Sequence, residues 1–400
     1  MGGNGTSMPG DSRWLLPEGI EELLPAEART IERMRRELLD LCDRWAYELV
    51  IPPLVEYTES LLIGLGPDLD LQTFKLTDQI SGRSLALRPD ITPQVARMDA
   101  HSLRREGPSR LCYAGSVLHT RARSPLASRS PIQVGAELYG DVSLAADIEV
   151  VSLMLEMLRV AGVGQITLDL GHVGIFRSLM EHLALPDALA SELFEALQHK
   201  SDPTIRALLA GSGLEAGQKA ILGRLAGLNG GSEVLDEAEV LFAHGPAGIA
   251  GALRALREVA DAVQQRAPDV ALHFDLCELH GYHYHTGLVF AAYAPGQGEA
   301  LANGGRYDDI GQVFGRARPA TGFNTDLKAL LRLARAQPVA QSAAVFVPHA
   351  VAEAAWEEMQ RLRALGECVV PGLPGEMPPA RCDRELRPLT GGGWELKILE

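Results

Sequence analysis

The chain has 400 residues, enough for two or three domains that each bury a hydrophobic core. It carries 37 lysine and arginine residues against 52 aspartate and glutamate residues, and the net charge of −15 disfavours a protein that binds nucleic acid through its overall charge. A hydrophobic fraction of 46% excludes a largely disordered chain. No apolar run approaches the roughly 20 residues that cross a bilayer, so we expect no membrane association.

The five cysteines are scattered, odd in number and form no C-x-x-C pair. This pattern favours reduced thiols in the cytoplasm over a disulfide scaffold or a thiolate zinc site. Residues 1–12 are rich in glycine and polar residues and lack the pattern of a signal peptide. We therefore predict a disordered N-terminus and a cytoplasmic protein.

The N-terminal third of the chain alternates between helix and strand patterns. Apolar residues at helical spacing predict an amphipathic helix over 25–49, which the prolines at 52 and 53 end. Short strands are predicted at 71–76 and 84–88, and a helix begins at Thr92-Pro93 and extends to about residue 103.

The middle of the chain contains a long helical stretch between groups of strands. No strand of any length is predicted within 175–267, and a further helix is expected at 145–160. Strands are predicted on both sides of these helices, at 110–120, 131–139, 165–170, 270–276, 288–293, 299–302 and 320–323. Strands around an all-helical stretch indicate an α+β domain over 13–337 with a helical insertion at about 175–267.

The last sixty residues have a pattern of their own. Strand, helix and strand are predicted at 343–347, 351–365 and 367–370, with a possible final strand at 394–399. We therefore predict a small C-terminal α/β domain over 338–400.

A strand-to-helix junction carries the first candidate site residues, within Leu-Arg-Pro-Asp-x-Thr. Asp90 and Thr92 could receive the ammonium group of a small ligand at this junction. The alternative is structural: Thr92 would cap the helix, and Asp90 would stabilise its first turn through the helix dipole.

A strand supplies the second set of candidates. Because side chains in a strand alternate between two faces, Gln133, Gly135 and Glu137 share one face. Gly135 would leave space between the amide and the carboxylate for a small polar molecule. An exposed alternating strand is the alternative.

Two further segments combine aromatic, imidazole and glycine residues. The stretch 278–287 holds three histidines, His280, His283 and His285, but no cysteine or carboxylate at ligand spacing completes a metal site, so we expect no metal. A pocket wall or a plain sheet surface explains them better. In 302–309, Gly-Gly allows close backbone approach before an Arg-Tyr-Asp cluster that includes Tyr307.

In this order the four segments resemble the class II aminoacyl-tRNA synthetase fold, and specifically the histidyl-tRNA synthetase family, over about residues 13–337. The fold class that the resemblance implies is α+β, an antiparallel sheet flanked by helices. It also implies histidine-binding residues, which in this sequence are Asp90, Thr92, Gln133, Glu137, His283, His285 and Tyr307. Asp90, Thr92 and Glu137 would meet the ligand ammonium, Gln133 and Tyr307 would orient the ligand, and the two histidines would lie near its imidazole.

The departures from that family all concern positive charge around a triphosphate. His119, His280 and Ala329 stand where the synthetases keep arginines, and Asp326 stands at a motif 3 glycine. Arg121 would share a strand face with His119 and partly compensate. Phosphoryl chemistry depends on positive charge around the reacting groups, so losing three arginines should abolish aminoacyl-adenylate formation.

A sequence that keeps the amino-acid pocket but lacks these arginines resembles the histidyl-tRNA-synthetase-like regulatory subunits of ATP phosphoribosyltransferase. The segment Glu-Leu-His-Gly-Tyr-His-Tyr-His-Thr-Gly at 278–287 is close to that family's pattern, and the tail is too short for an anticodon-binding domain. The resemblance implies a non-catalytic subunit, without cofactor, that activates the first step of histidine biosynthesis and mediates its feedback inhibition by histidine.

The same resemblance implies the partners. They are a short-form catalytic subunit, which carries the active site, in a hetero-octamer of four regulatory and four catalytic chains, with a homodimer core that the helix at 25–49 would help to form. A working histidyl-tRNA synthetase and a stand-alone histidine sensor are the alternatives.

Overall fold

The structure is a computed structural model, and it describes residues 14–62, 67–122, 124, 127–278, 284–333 and 343–399. They form two compact units, built mainly from Thr30–Ala336 and from Gln337–Glu400. The predicted disordered N-terminus, 1–12, lies outside the described residues. No helix in the described part of the chain is long and apolar enough to cross a membrane.

The helices, in chain order, are α1 (Pro25–Arg44), α2 (Thr58–Leu61), α3 (Pro67–Leu71), α4 (Thr92–Arg97), α5 (Leu144–Val160), α6 (Val173–Leu183), α7 (Asp187–Gln198), α8 (Asp202–Gly211), α9 (Ala216–Leu225), α10 (Glu233–Leu241), α11 (Ala247–Arg266), α12 (Leu327–Leu333), α13 (His349–Ala352) and α14 (Trp356–Ala364). A π-helical turn, Met98–Leu103, continues α4, and a 3₁₀ helix spans Ile310–Phe314.

The strands are β1 (Glu48–Leu49), β2 (Val55–Tyr57), β3 (Lys75–Thr77), β4 (Ser84–Leu87), β5 (Ser109–Ser116), β6 (Ile132–Tyr139), β7 (Thr167–His172), β8 (Asn229–Gly230), β9 (Ala271–Asp275), β10 (Leu288–Tyr293), β11 (Ala302–Arg306), β12 (Ala320–Asp326), β13 (Ala344–Val347), β14 (Cys368–Pro371), β15 (Cys382–Pro388) and β16 (Trp394–Ile398).

A nine-stranded sheet organises the larger unit, in the order β1-β5-β6-β12-β11-β10-β7-β9-β8. The six strands from β5 to β7 are antiparallel, while β1 and β9 join parallel to their neighbours β5 and β7. This arrangement confirms the predicted α+β class with an antiparallel sheet flanked by helices. A separate three-stranded sheet has the order β2-β4-β3.

One face of the large sheet forms the hydrophobic core against helices. Val134, Ala136 and Leu138 of β6 are at most 1% exposed and belong to one cluster with the apolar sides of α1, α5 and α11. Because side chains alternate along a strand, Gln133, Gly135 and Glu137 lie on the opposite face. We call that opposite face of the sheet the site face.

Several predicted boundaries are wrong at the N-terminal end. The first helix ends at Arg44 rather than at Leu49, which lies exposed in β1, so the apolar spacing continued past the real helix end. Leu71 belongs to α3 rather than to a strand, and β3 begins only at Lys75. The helix predicted over 92–103 is observed as α4 and its π-helical continuation.

The helical stretch and the tail differ from prediction in one strand each. Helices α6 to α11 fill the predicted insertion, but the two residues of β8 pair with the end of β9, which a search for long strands misses. In the smaller unit the sheet order is β14-β13-β15-β16. The strand β15 was not predicted, because its sequence is mostly charged and lacks apolar alternation.

A buried arginine ties the sheet to α5. Arg306 of β11 contacts the Asp147 carboxylate through Nε and Nη2 at 3.0 and 2.8 Å, and also donates to the carbonyls of Asp141 and Ser143. The Arg306 side chain is 9% exposed and that of Asp147 is 3% exposed. Because both charges are paired, the interior tolerates them.

We predict that Arg306→Met destabilises the chain by about 3–5 kcal/mol, because the substitution leaves the Asp147 carboxylate buried without its counter-charge. Chemical denaturation of the full chain, followed by circular dichroism, measures the free energy of unfolding. Arg36→Met is the matched control, since Arg36 pairs with Glu32 on the exposed side of α1. Equal stability of the two variants would contradict a structural role for Arg306.

Candidate functional site

The carboxyl group of Glu137 lies at the centre of the site face and is 1% exposed. It accepts hydrogen bonds from Thr92 Oγ1 at 2.9 Å, from the Tyr113 hydroxyl at 3.0 Å and from the Tyr307 hydroxyl. Burial raises the pKa of Glu137 to about 8, although the three hydroxyl groups oppose the rise. The group can therefore hold or release a proton near neutral pH.

The structure tests the structural interpretation of the strand-to-helix junction, separately for Thr92 and for Asp90. Ile91 is the N-cap residue of α4, and no side chain caps the helix there. Thr92 instead directs its hydroxyl to Glu137 and Tyr113, so the helix-capping alternative for Thr92 is wrong. Asp90 does accept the backbone N–H of Thr92, at 3.1 Å, and so stabilises the start of the helix as the structural alternative proposed.

Gln133 connects the junction to the sheet. Its amide Nε2 donates to Asp90 Oδ1 at 2.9 Å, and its Oε1 accepts the backbone N–H of Ile91 at 2.9 Å. Asp90 itself remains half-buried. Gln133 therefore fixes the position of the Asp90 carboxylate, and Asp90, Thr92, Gln133, Glu137 and Tyr307 lie together in one connected network.

Glycines on two neighbouring strands, β6 and β12, make room for this network. A Cβ atom at Gly322, which pairs with Glu137, would overlap the Glu137 carboxylate. A Cβ atom at Gly135 would overlap the Tyr113 hydroxyl, so the space expected over Gly135 is filled by a tyrosine rather than left for a ligand. The expectation of an open gap at Gly135 is therefore wrong.

Four tyrosines surround Glu137, and the sequence analysis assigned a role only to Tyr307. The ring of Tyr284 stacks on that of Tyr307 with centroids 5.0 Å apart, and Tyr139 meets Tyr307 edge-on at 6.5 Å. The hydroxyl group of Tyr284 is buried and has no hydrogen-bond partner within the described residues. Tyr139 was detectable, since it follows Glu137 by two residues and so shares its strand face.

The predicted histidines are only partly described. His285 is half-buried, its ring lies against Gly305 and meets Tyr284 edge-on, and its carbonyl accepts a hydrogen bond from Arg177. Gly305 pairs with Gly322, so His285 borders the Glu137 network. His280 and His283 lie outside the described residues.

A cavity beside Gln133 contains three of the positions at which the sequence departs from the synthetases. His119, Asp326 and Ala329 line it. His119 is 3% exposed, and its Nε2 lies 2.8 Å from the Pro89 carbonyl. The strand β5 ends at Ser116, so Arg121 does not share a strand face with His119 as expected, and it is exposed.

Asp326 has a structural role at the rim of this cavity. Its Oδ1 accepts the backbone N–H groups of Ile132 and Lys328, both at 3.0 Å. Burial raises the pKa of Asp326, while those hydrogen bonds oppose the rise. The Asp326 carboxyl group therefore binds the backbone and does not replace a phosphate-binding cation in the cavity.

Among the described residues, the group that could best hold a cation is acidic and does not involve the histidines. Asp169, Asp275 and Glu278 place one oxygen each within 4.8 Å of one another. Asp275 already accepts the Lys200 ammonium, and Asp169 lies 3.0 Å from His273 Nδ1. Asp275 and Asp169 thus already have side-chain partners within the fold.

Two family models cover most of the chain. Residues 19–330 match the model described as histidyl-tRNA synthetase, and residues 342–397 match the model described as ATP phosphoribosyltransferase subunit HisZ C-terminal domain. Curated proteins named ATP phosphoribosyltransferase regulatory subunit are similar over nearly the whole length. The protein of Pseudomonas aeruginosa strain LESB58 is 54% identical over 97% of this chain and 98% of its own. That of Thioalkalivibrio sulfidiphilus is 55% identical over 95% and 97%.

The chain belongs to the family of ATP phosphoribosyltransferase regulatory subunits. The family confirms the resemblance seen in the sequence and supports a regulatory, non-catalytic role in histidine biosynthesis. A Bacillus halodurans structure titled ATP phosphoribosyltransferase regulatory subunit/histidyl-tRNA synthetase matches with a TM-score of 0.81 and 29% identity, over 91% of this chain and 94% of its own. A Nostoc histidyl-tRNA synthetase matches with a TM-score of 0.71 and 16% identity, over 96% and 97%, and confirms the class II synthetase fold.

We predict a pH-dependent stability difference between the wild type and Glu137→Gln. Between pH 4.5 and about 8 the folded protein binds one proton at Glu137 that the unfolded chain does not, so the free energy of unfolding of the wild type falls relative to the variant as pH rises through that window. Above pH 8 the difference becomes constant. Denaturation series at several pH values measure it, and a difference that does not change between pH 5 and 8 would contradict the raised pKa.

Proposed function

We propose that this chain is the histidine-responsive regulatory subunit of ATP phosphoribosyltransferase: it activates the first step of histidine biosynthesis and mediates feedback inhibition by histidine. The active site, where ATP and phosphoribosyl pyrophosphate react, would lie on the partner chain. The observation that carries the proposal is the connected polar network around Glu137 next to a cavity whose phosphate-binding positions are His119 and Ala329. The network supports recognition of an amino acid. The cavity retains one lining arginine, Arg332, but its guanidinium lies 3.9 Å from the Glu21 carboxylate, so the cavity has fewer cations than adenylate formation needs.

Within this site we propose different roles for the two carboxyl groups, which revises the expectation that Glu137 and Thr92 join Asp90 at the ligand ammonium. Asp90 is half-buried and held by Gln133, so a ligand ammonium can reach it while keeping part of its hydration. Glu137 lies deeper, among tyrosine rings and hydroxyl groups, and its raised pKa suits hydrogen bonding with an imidazole. Thr92 and Tyr307 would orient the ligand, and His283 and His285 would lie near its ring.

Feedback inhibition requires that histidine bind the inhibited quaternary state more tightly than the active one. Such couplings are typically about 1–3 kcal/mol. We propose that the quaternary states are those of a hetero-octamer of four regulatory and four short-form catalytic chains in the cytoplasm. A homodimer core would rest on α1 and the strand that follows it, and we expect no nucleic-acid partner.

We predict that Glu137→Ala weakens L-histidine binding by more than about tenfold, because a buried hydrogen-bonding carboxyl group that meets the ligand is lost. Isothermal titration calorimetry on the complex with the catalytic subunit measures the affinity. Glu358→Ala is the matched control, since that carboxylate is paired with Arg361 on the surface of α14. Unchanged affinity in Glu137→Ala would remove the assigned pocket.

We also predict that the tagged chain co-purifies with a short-form phosphoribosyltransferase and raises its rate of phosphoribosyl-ATP formation. Native mass spectrometry gives the stoichiometry, and a stand-alone sensor would remain free of the enzyme.

The purified chain should show no histidine-dependent ATP–pyrophosphate exchange, because His119 and Ala329 do not replace the arginines that bind the phosphates in the synthetases. Exchange above background would instead support a working synthetase.

A further inference from the structure

Two asparagines stand side by side in the cavity next to the proposed ammonium site. Asn303 of β11 and Asn324 of β12 are paired in register, and both line the cavity that Gln133 also lines. Asn324 is half-buried and Asn303 is exposed. Neither carboxamide has a hydrogen-bond partner within the described part of the chain, so both are available to a ligand.

The strand register places the two asparagines between the row of the sheet that holds Glu137 and the row that holds Gln133. Asn324 pairs with Gly135, which lies between Gln133 and Glu137 on the site face. Each two-residue step along a strand is about 6.6–6.8 Å, so the asparagines lie one step from the row of Glu137 and one step from the row of Gln133. A histidine with its ring at Glu137 and its ammonium at Asp90 would have its α-carboxylate near this middle row.

The chemistry of the pair fits a carboxylate. Each carboxamide offers two N–H donors, and hydrogen bonds to a charged acceptor are roughly twice as strong as neutral ones. Arg332, the arginine that lines the cavity, lies 3.9 Å from the Glu21 carboxylate, and Lys328 of the same helix contacts Glu21 at 3.3 Å and Ser130 at 3.1 Å. Neutral donors can bind one carboxylate without strongly attracting a polyphosphate.

We propose that Asn303 and Asn324 form a carboxamide clamp for the α-carboxylate of the amino-acid ligand, and that they make the site specific for free L-histidine over carboxylate-modified forms. This inference rests on the proposed function. It assigns the clamp to a row of the sheet that none of the binding residues predicted from the sequence occupies.

The test compares L-histidine with L-histidinamide on the complex of this chain with its catalytic subunit. Asn324→Ala and Asn303→Ala should each weaken histidine binding by about tenfold and histidinamide binding by clearly less. Asn324→Asp should shift the ratio of the two affinities by at least tenfold toward histidinamide, because an added carboxylate repels the ligand carboxylate and accepts the ligand amide. Both ligands are measured on every variant, so differences in their own ionisation cancel.

Asn229→Asp is the matched control, since it adds the same charge at an exposed position in β8, and it should leave the ratio unchanged. Competition calorimetry gives both affinities, and circular dichroism confirms that each variant is folded. Equal losses for the two ligands, or no loss at Asn303 and Asn324, would overturn the clamp while leaving the histidine site in place. Absence of histidine binding to the wild-type complex would overturn the proposed function itself.

Discussion

Glu137 is a buried carboxyl group, and a buried carboxyl group needs hydrogen-bond donors. The residues of the site face are arranged so that they supply those donors. A carboxylate left without partners in the interior would cost several kcal/mol, so the surrounding residues must supply donors or a proton. Here three hydroxyl groups, from α4, β5 and the end of β11, converge on it. Gly322 completes the arrangement, because any side chain there would displace the carboxyl group.

The buried ion pairs of the larger unit act on the same region. Arg306 immediately precedes Tyr307, and its contacts with Asp147 and two carbonyls hold the end of β11 against the start of α5. Arg318 and Asp99 form a second pair, with side chains 8% and 2% exposed, between the approach to β12 and the π-helical turn after α4. These ion pairs hold the elements that carry Thr92 and Tyr307. The orientation of the two hydroxyl groups therefore depends on charged residues outside the pocket.

Much of this arrangement was predictable from the sequence because short-range patterns determine it. The period of two along β6 placed Gln133 and Glu137 on one face, and apolar spacing predicted α5 and β10 to within a residue. The sequence did not predict which side chains from distant segments contact one another in the pocket. That Tyr113 fills the space over Gly135, and that Thr92 turns away from capping its helix, depends on contacts between segments 20 or more residues apart.

Other failures have different physical causes. A two-residue strand such as β8 carries too few side chains to show a pattern. The mostly charged β15 buries only Cys382 and Leu386, and two apolar residues four positions apart do not produce a strand pattern. The carboxamide pair was invisible for a third reason. Asn303 and Asn324 lie 21 positions apart, and only the pairing of β11 with β12 makes them neighbours.

The position of Asp326 bears on how such a protein could change over evolutionary time. Its carboxylate now satisfies two backbone N–H groups at the junction of β12 and α12, so it has become part of the scaffold. An arginine introduced at Ala329, which lines the same cavity as Asp326, would have that carboxylate as a neighbouring counter-charge. One substitution at Ala329 would therefore not by itself add a free positive charge to the cavity. The two backbone N–H groups that Asp326 satisfies would first need another acceptor.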